Sequence, residues 1–335
     1  MLNEFRRDPI SGDWVLFDTG RKKNHIHETI PFHQPAGECF FEDPVKSNNQ
    51  TPTAVYLNGS PITWSPEAKW TTMAIPNKFP TLTPGVCKDP HLDGLFEIAD
   101  AHGFHELIIT KDHDRNFSNF TDAEVSDILL AYLDRYKMMT QDGCGQYITI
   151  FHNKGPAAGA TIYHNHSQII SLPVIPPGIQ RSLKGAEDYY SRSRQMAHSS
   201  LIEWESKEKK RIVYENESFV AFCPFVSKQP YQIKLFPKHS SPRFESISDT
   251  DRTYLANALN MVLKKVIRGL NDADFNFYIH TAPAKPSSIS YDTYCWHIEI
   301  IPRVKIVGGL ELGTDVFANE IDPDEAAELF RSTSI

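Results

Sequence analysis

Polar and apolar residues alternate most clearly between Tyr163 and Ile170, in the order Tyr-His-Asn-His-Ser-Gln-Ile-Ile. This alternation predicts a β-strand, because successive side chains point to opposite faces of a strand. His164, His166 and Gln168 would then share one face. Two imidazoles and an amide on one face favour a functional site, although a histidine pair held by ordinary packing is the alternative interpretation.

A loop of small residues precedes this predicted strand. Residues 153–161 include Gly155 and Gly159, and glycine allows backbone amides to approach an oxyanion closely. A phosphate-binding loop beside two histidines and a glutamine therefore indicates chemistry at phosphorus.

Helix and strand patterns recur in the same order in both halves of the chain. Thr121 and Glu124 form a capping-box pattern ahead of an apolar stripe with helical spacing, and Ser248 is a candidate cap for a second helix. The order strand, helix, strand, loop, strand predicts an internal duplication in an α+β fold, with a chance match of two α+β halves as the alternative. The predicted strands are 103–110, 147–152, 163–170, 231–236, 275–280 and 295–302, and the second helix is 246–269. The predicted domains are 1–176 and 213–335, joined by a helix-rich linker at 177–212.

The stretch 24–70 shows no such periodicity and is rich in Pro, Asn, Thr and Ser. It is predicted to be irregular, and an irregular segment of this length in a compact chain is usually functional or tied down, for example by a metal. It follows a strand predicted at 14–17 and three consecutive cations, Arg21, Lys22 and Lys23.

Composition narrows the class of protein. The 335 residues carry 42 acidic against 34 basic side chains, a net charge of −8, so no nucleic-acid partner and no anionic-membrane surface are expected. The five cysteines, at 39, 87, 144, 223 and 295, suggest no disulfide ladder and contain no Cys-x-x-Cys pair, which favours a reducing cytoplasm. No apolar signal core opens the sequence, and no apolar run reaches the about 18 residues of a membrane span, so a soluble cytoplasmic protein is expected.

Short motifs spread almost end to end along the chain resemble the galactose-1-phosphate uridylyltransferase family of the histidine-triad superfamily. They are Arg6–Pro9 with Trp14-Val15, Ile75–Pro80, His105-Glu106, Asn153–Gly155, His164–Gln168, Pro224-Phe225 and Gly308–Thr314. Each motif is weak alone, and their order makes the match strong. The resemblance implies two fused histidine-triad-like halves, each an antiparallel sheet with packed helices. It also implies a homodimer that binds a nucleotide sugar and a sugar 1-phosphate or phosphate.

The family resemblance further implies a two-step transfer through a covalent nucleotidyl-histidine. By position, His166 would be the nucleophile and Gln168 would bind a phosphate oxygen. Residue chemistry agrees, because an imidazole with a pKa of about 6.5 is largely neutral at pH 7 and attacks phosphorus without a strong base. Further nucleotide and phosphate contacts are expected at Arg21, Asn77, Asn153, Gly155, Gly159 and Thr161, and a hexose contact across the dimer at Glu311.

Members of this family commonly hold a structural zinc, and the matching positions here are Cys39, Glu42, His113 and His164. Glu42 stands where a second cysteine is usual, and glutamate can bind zinc through oxygen. The alternative is that Cys39 is a buried thiol and His164 orients the site by hydrogen bonding.

A second metal occurs in some relatives. His239, His297 and Glu299, with Glu187, are what remains of that ligand set here. The expected nearby glutamate is out of register, so no occupied second metal is expected.

The substrate is less sharply indicated than the reaction. Leu310 stands where the galactose enzymes carry a tyrosine, which leans towards the branch that includes ADP-glucose phosphorylase. The leading hypothesis is exchange between UDP-glucose and a hexose 1-phosphate, and the alternative is transfer of AMP from ADP-glucose to orthophosphate. A histidine-triad hydrolase is a different class, which Glu311 on a glycine-rich loop disfavours. A non-catalytic zinc- or nucleotide-binding module is a third class.

Overall fold

The computed structural model describes residues 2–21, 32–48, 50–88, 90–141, 144–286 and 290–335, without the side chains of residues 21 and 48. The strands are β1 Asn3–Arg7, β2 Trp14–Asp18, β3 Ala54–Leu57, β4 Ser60–Ile62, β5 Thr72–Pro76, β6 His91–Asp93, β7 Phe96–Ile98, β8 His105–Thr110, β9 Tyr147–Lys154, β10 His166–Leu172, β11 Ile212–Glu215, β12 Phe219–Phe222, β13 Ile233–Pro237, β14 Phe275–His280, β15 His297–Pro302 and β16 Phe317–Asn319. The α-helices are α1 Pro44–Asn48, α2 Asp122–Thr140, α3 Pro177–Ser193, α4 Ala197–Glu208, α5 Asp249–Gly269, α6 Gly309–Thr314 and α7 Pro323–Ser332.

One long sheet runs through both halves of the chain. Its strand order is β11-β12-β13-β15-β14-β9-β10-β8-β5-β3-β4, and neighbouring strands pair antiparallel. The halves meet where β9 pairs with β14, with Asn153 opposite Asn276 and His152 opposite Phe277. The predicted α+β class, two fused halves with antiparallel sheets and packed helices, is therefore confirmed. The proposed domain limits stay a prediction.

Helices α2 and α5 pack on one face of this sheet. Alternate apolar residues of the central strands, including Ile150, Ile169 and Phe277, form one buried core with both helices. Burying each such side chain contributes about 1.5–3 kcal/mol, so this alternation sets which face the helices cover. The other set of alternate residues, which includes His166 and Gln168, lies on the opposite face.

The predicted helix starts are confirmed. The Thr121 hydroxyl accepts from the Glu124 amide and the Glu124 carboxylate accepts from the Thr121 amide, at 3.3 and 2.8 Å. Ser248 caps α5 by accepting from the Asp251 amide at 3.0 Å. Both caps satisfy amides that the first turn of a helix leaves unpaired.

The strand that carries the central motif begins later than predicted. β10 starts at His166, so the prediction that His164 lies in the same strand is wrong. The amide of Thr110, at the end of β8, donates to the carbonyl of Asn165, and the His164 ring donates to the Thr110 carbonyl at 2.7 Å. The side chain of His164 is therefore directed towards the end of β8.

The prediction that residues 24–70 are irregular is wrong where the structure forms β3 and β4. These strands make a hairpin whose turn residues, Asn58 and Gly59, have φ values of 51° and 81°. Asn-Gly is the preferred pair for such a turn, because both residues tolerate positive φ. Tyr56 on β3 is fully buried in the main core, which anchors the hairpin.

One pair of cysteines is bonded, although the sequence suggested no disulfide framework. Cys87 and Cys144 form a disulfide with their Cα atoms 5.3 Å apart, so the expectation of no pairing is wrong for these two. They are 57 residues apart in sequence, and spacing alone cannot reveal such a pair. Cys39, Cys223 and Cys295 are free and buried. Across the described part of the chain, no helix has both the length and the apolar character needed to cross a bilayer.

A buried ion pair fixes β8 to α2. The Arg135 guanidinium donates to both oxygens of the Glu106 carboxylate, at 2.8 and 2.9 Å. The two side chains are only 12% and 4% exposed. Removing one charge would leave the other uncompensated in a poorly solvated place.

We therefore expect Glu106→Gln to lower the free energy of unfolding by about 3 kcal/mol. Equilibrium urea denaturation followed by circular dichroism measures this loss. Glu217→Gln, at an exposed position between β11 and β12, is the matched control and should leave the midpoint unchanged. Equal midpoints for the two variants would contradict a stabilising role for the pair.

Candidate active site

His166 begins β10 and is 9% exposed. Its ring Nδ1 lies 2.9 Å from the backbone carbonyl of His164. Because a carbonyl can only accept, Nδ1 carries the proton and Nε2 keeps its lone pair. Desolvation lowers the pKa of His166, which favours the neutral ring. A neutral imidazole with a free Nε2 lone pair is a competent nucleophile.

Two side-chain amides flank His166 on the same face of the sheet. Gln168 lies two residues further along β10. On β9, His152 pairs with Ser167, so the next residue, Asn153, lies beside His166. A cavity of about 340 Å³ is lined in part by Asn153 and His164, whereas neither His166 nor Gln168 is among its described lining residues. The structure thus brings together the predicted nucleophile and two of the predicted phosphate contacts.

The glycine-bearing loop is shaped by an aspartate that the sequence did not single out. Gly155 has a φ of 79°, and a Cβ at this position would overlap the Asp274 carboxylate. The same carboxylate accepts from the Ala157 amide at 2.7 Å. The Gly159 amide donates to the Pro156 carbonyl at 2.9 Å, so it is engaged within the loop and is not a free oxyanion donor.

The remaining predicted nucleotide contacts are placed less uniformly. The Asn77 amide donates to the carbonyl of His105 at 2.9 Å, which fixes Asn77 at the end of β5. Thr161 is exposed between the loop and β10. The side chain of Arg21 lies outside the described part of the structure.

Glu311 lies away from this cavity within one chain. It is 7% exposed in the first turn of α6, and its carboxylate accepts from the Gly308 amide at 3.0 Å. Lys305 Nζ lies 3.3 Å from the same carboxylate. Among the described residues that line the cavity beside Asn153, Glu311 is absent. Within one chain, the described partners of the Glu311 carboxylate include Gly308 and Lys305, which lie in its own segment.

The four predicted metal ligands do come together. The donor atoms of Cys39, Glu42, His113 and His164 all lie within 4.8 Å of one another. His164 Nδ1 is 3.6 Å from Cys39 Sγ and 3.5 Å from Glu42 Oε1, and His113 Nδ1 is 3.2 Å from Glu42 Oε1. Such separations match a tetrahedron of zinc bonds about 2.0–2.3 Å long.

Both rings in this cluster aim a lone pair inward. The Nε2 atoms of His164 and His113 lie 2.7 and 2.6 Å from the carbonyls of Thr110 and Gln34, so Nε2 carries the proton in each ring. His113 Nδ1 is a buried polar atom without a hydrogen-bond donor in the described structure. Two lone pairs converging on a carboxylate repel one another unless a cation lies between them, so this donor set fits a metal ion.

A second group of potential ligands lies in the C-terminal half. It consists of His280, His297 and Glu299, so His280 takes the place that the sequence offered to His239. His239 is exposed, and neither it nor Glu187 belongs to the group. Glu299 already accepts from Gln232 and from Tyr278, each at 2.8 Å. The absence of a second metal stays a prediction.

Besides Asp274, sequence reasoning missed three residues of these sites. The Phe41 ring packs 5.1 Å from the His166 ring, and nothing in its local sequence indicated this contact. His280 could have been found, because it lies directly opposite His297 once β14 and β15 are paired. His105 hydrogen-bonds Gln168 at 2.8 Å, although its motif was noted only as part of the family resemblance.

Comparison with models of protein families shows which family this chain belongs to. The N-terminal domain of galactose-1-phosphate uridyl transferase matches residues 2–176, and its C-terminal domain matches residues 182–331. The chain belongs to the galactose-1-phosphate uridyl transferase family. The resemblance carried by the short motifs is therefore confirmed.

Individual members of the family match this chain along its full length. It is 28% identical to ADP-glucose phosphorylase of Arabidopsis thaliana over 344 residues, 99% of this chain and 93% of that protein. It is 25% identical to galactose-1-phosphate uridylyltransferase of Thermotoga maritima over 348 residues, 100% of this chain and 99% of that protein. The crystal structure of the Arabidopsis ADP-glucose phosphorylase with bound ADP-glucose matches with a TM-score of 0.82, 28% identity and 100% coverage of both chains.

These relatives establish the class of reaction for this family member. The chain is an enzyme of the nucleotidyltransferase type. Because an ADP-glucose enzyme and a uridylyl enzyme both match over the whole chain, the comparisons support the class and not one nucleotide.

The loop geometry predicts a difference between two glycine substitutions. Gly155→Ala and Gly159→Ala both place a Cβ at positive φ, at a cost of roughly 1–2 kcal/mol. Only Gly155→Ala also drives that Cβ into Asp274, because no heavy atom lies within 4 Å of a Cβ at Gly159. We expect Gly155→Ala to lose about 1–3 kcal/mol more stability than Gly159→Ala, measured by urea denaturation. Equal losses would contradict the close approach of Asp274.

Proposed function

We propose that this enzyme moves a nucleoside monophosphate from a nucleotide sugar to a second phosphate through a covalent bond to His166. One observation carries the proposal. The His166 ring holds its proton on Nδ1 against the His164 carbonyl, at 2.9 Å, and so keeps Nε2 available. Asn153 and Gln168 lie beside it with amide groups suited to phosphate oxygens.

The proposed chemistry has two displacements. His166 Nε2 attacks the α-phosphorus, an N–P bond forms, and the P–O bond to the sugar phosphate breaks with its electron pair leaving on oxygen. An oxygen of the acceptor phosphate then attacks the same phosphorus, and the N–P electron pair returns to the ring. The His164 carbonyl stabilises the positive charge that the ring carries between the two steps.

Nearby donors support phosphate binding at this place. The side-chain amides of Asn153 and Gln168 would meet the equatorial oxygens, where charge accumulates in the transition state. Lys154 lines the cavity beside Asn153, where its ammonium group lies 2.8 Å from the Asp272 carboxylate. Since the Gly159 amide is engaged, the proposal relies on these side chains and less on loop amides.

Two donor substrates are proposed for the same site. The first is UDP-glucose with a hexose 1-phosphate as acceptor, as in galactose-1-phosphate uridylyltransferases. The second is ADP-glucose with orthophosphate as acceptor. Leu310 before Glu311 favours the second substrate pair.

Glu311 enters this proposal from a second copy of the chain. Within one chain its carboxylate is held in α6 by the Gly308 amide and Lys305, away from the cavity beside Asn153. A homodimer would place α6 of one protomer over the cavity of its partner. The hexose contact expected at Glu311 therefore depends on dimer formation.

Zinc is proposed for the cluster near His166. Cys39, Glu42, His113 and His164 would hold it, because their lone pairs converge with tetrahedral spacing. When bound, zinc would connect the segment that carries Cys39 and Glu42 to the residues just before β10. This role would be structural. The inward-facing Nδ1 of His113, without a donor, is the observation that supports it.

The covalent step predicts a labelled protein. Nucleotide sugars with a ³²P-labelled α-phosphate, carrying uracil, adenine or guanine, are incubated with the enzyme, and we expect acid-labile label from one of them. His166→Ala should abolish the label because it removes the attacking nitrogen, and imidazole should restore turnover to His166→Gly. Label on His166→Ala would overturn the assignment.

A matched control and an acceptor panel sharpen this experiment. His91→Ala, at an exposed site on β6, should label like the parent enzyme. Chasing the labelled enzyme with hexose 1-phosphate, with orthophosphate or with buffer alone separates the two proposed transferases. Release at the same rate in buffer alone would indicate a hydrolase.

The zinc proposal predicts a specific dependence on Glu42. We expect Glu42→Ala to lose zinc to a chelator roughly 10- to 100-fold faster than the parent, because one ligand is missing, and Glu42→Cys to hold it more tightly. Zinc release is followed with a chromogenic chelator. Glu38→Ala, exposed four residues earlier, is the control. Equal release from Glu42→Ala and Glu38→Ala would exclude the carboxylate as a ligand.

A further inference from the structure

His105 lies between Gln168 and the turn that follows β5. It is 7% exposed, and its Nε2 is 2.8 Å from the side-chain oxygen of Gln168. Its Nδ1 accepts from the backbone amide of Thr81 at 3.1 Å. In the β8–β10 register, His105 lies opposite Ile170 and Leu107 lies opposite Gln168, so His105 and Gln168 are diagonal neighbours on one face.

These contacts fix the position of the ring proton. A backbone amide can only donate, so Nδ1 of His105 carries no proton. Desolvation lowers the pKa of His105, which keeps the ring neutral, and the single proton must then be on Nε2. The side-chain nitrogen of Asn77, 3.1 Å away, cannot accept this proton, whereas the Gln168 oxygen can.

The direction of the hydrogen bond between His105 and Gln168 determines which atom of the Gln168 amide is held by His105. The oxygen and nitrogen of a glutamine amide have nearly the same size, so packing alone does not decide which one faces a ligand. The His105 proton holds the oxygen, and among the described residues no acceptor contacts the amide nitrogen. Turned over, the same side chain would present its oxygen to a phosphate and repel it.

The second amide beside His166 is oriented in the same way. Asn276 donates to the carbonyl of Ala158 and to the side-chain oxygen of Asn153, each at 2.8 Å. Because the carbonyl can only accept, the nitrogen of Asn276 must face this side. The oxygen of Asn153 is therefore held by a neighbouring strand, and no acceptor in the described part of the chain contacts its nitrogen, as in Gln168.

We infer that His105 is a positioning residue that turns the Gln168 amide so that its nitrogen, and not its oxygen, faces the transferred phosphate. This inference rests on the proposed function, because it requires a phosphate at Gln168. It assigns His105 a role in the rate of transfer and not in contacting substrate. Its effect must therefore pass through Gln168.

A double-mutant cycle on single-turnover labelling of His166 tests this route. We expect His105→Phe to slow labelling roughly 10- to 100-fold at saturating nucleotide sugar, with a much smaller change in the concentration needed for half-saturation. In a Gln168→Ala background the same change should have almost no effect, because the oriented group is gone. His105→Gln, which keeps a donor, should recover part of the rate. His91→Phe, exposed on β6, is the control.

The outcomes separate the inference from the function on which it rests. If the parent enzyme is labelled, but His105→Phe slows labelling by the same factor in the parent and in the Gln168→Ala background, only the role of His105 is overturned. No label in the parent would overturn the proposed function, and the phosphate role of His105 with it. Nitrogen NMR of ¹⁵N-histidine protein reads the tautomer directly, without relying on activity or on the phenylalanine variant. A proton on Nδ1 of His105 would overturn the inference.

Discussion

His164 acts through its backbone and its side chain at the same time, and the active site depends on this. Its carbonyl accepts the Nδ1 proton of His166 at 2.9 Å, which selects the nitrogen that can attack. Its ring donates from Nε2 to the Thr110 carbonyl at 2.7 Å and turns Nδ1 towards Cys39 and Glu42. A displacement of His164 would therefore disturb the candidate metal ligands and the proposed nucleophile together. A structural metal here would stabilise the nucleophile without touching the substrate.

The opposite face of β10 is equally constrained. Tyr132 on α2 donates a hydrogen bond to the Ser167 hydroxyl. The Ser167 hydroxyl in turn donates its own proton to His152 Nδ1, at 3.0 Å. His152 is stacked on Phe277 with ring centroids 5.1 Å apart, and burial lowers its pKa to about 3. This neutral, hydrogen-bonded ring satisfies the Ser167 hydroxyl on the helix-facing side of β10. The strand end that carries His166 is thus fixed from both faces.

Local signals in the sequence were sufficient for part of this architecture. The Thr121 and Ser248 caps and the alternation of β14 follow from contacts within a few residues, and the structure reproduces them. The departure of His164 from the strand was not visible, because it depends on hydrogen bonds to Thr110, 54 and 55 residues away. The Asn58-Gly59 hairpin was a readable signal that the high content of turn residues around it obscured.

Roles that depend on hydrogen-bond direction were out of reach of sequence patterns. Glutamine at 168 is compatible with a phosphate contact, but only the Thr81 amide and the His105 ring determine which end of it points outward. Likewise, the pairing of Cys87 with Cys144 follows from a fold that brings together residues 57 positions apart. Family resemblance named the candidate metal ligands, whereas the convergence of their donor atoms became visible only in the structure.

The duplicated half shows why the same fold need not repeat the same chemistry. His297 begins β15 as His166 begins β10, and its Nδ1 lies 3.1 Å from the carbonyl of Cys295, two residues before it. Its Nε2 is therefore a free lone pair as well. Two residues further on, however, Glu299 stands in the place of Gln168, held by Gln232 and Tyr278. A glutamate side chain has no amide N–H to donate to a phosphate oxygen, so the ring geometry alone does not make His297 a nucleotidyl carrier. The proposed transfer step therefore belongs to the half in which the histidine is accompanied by an amide.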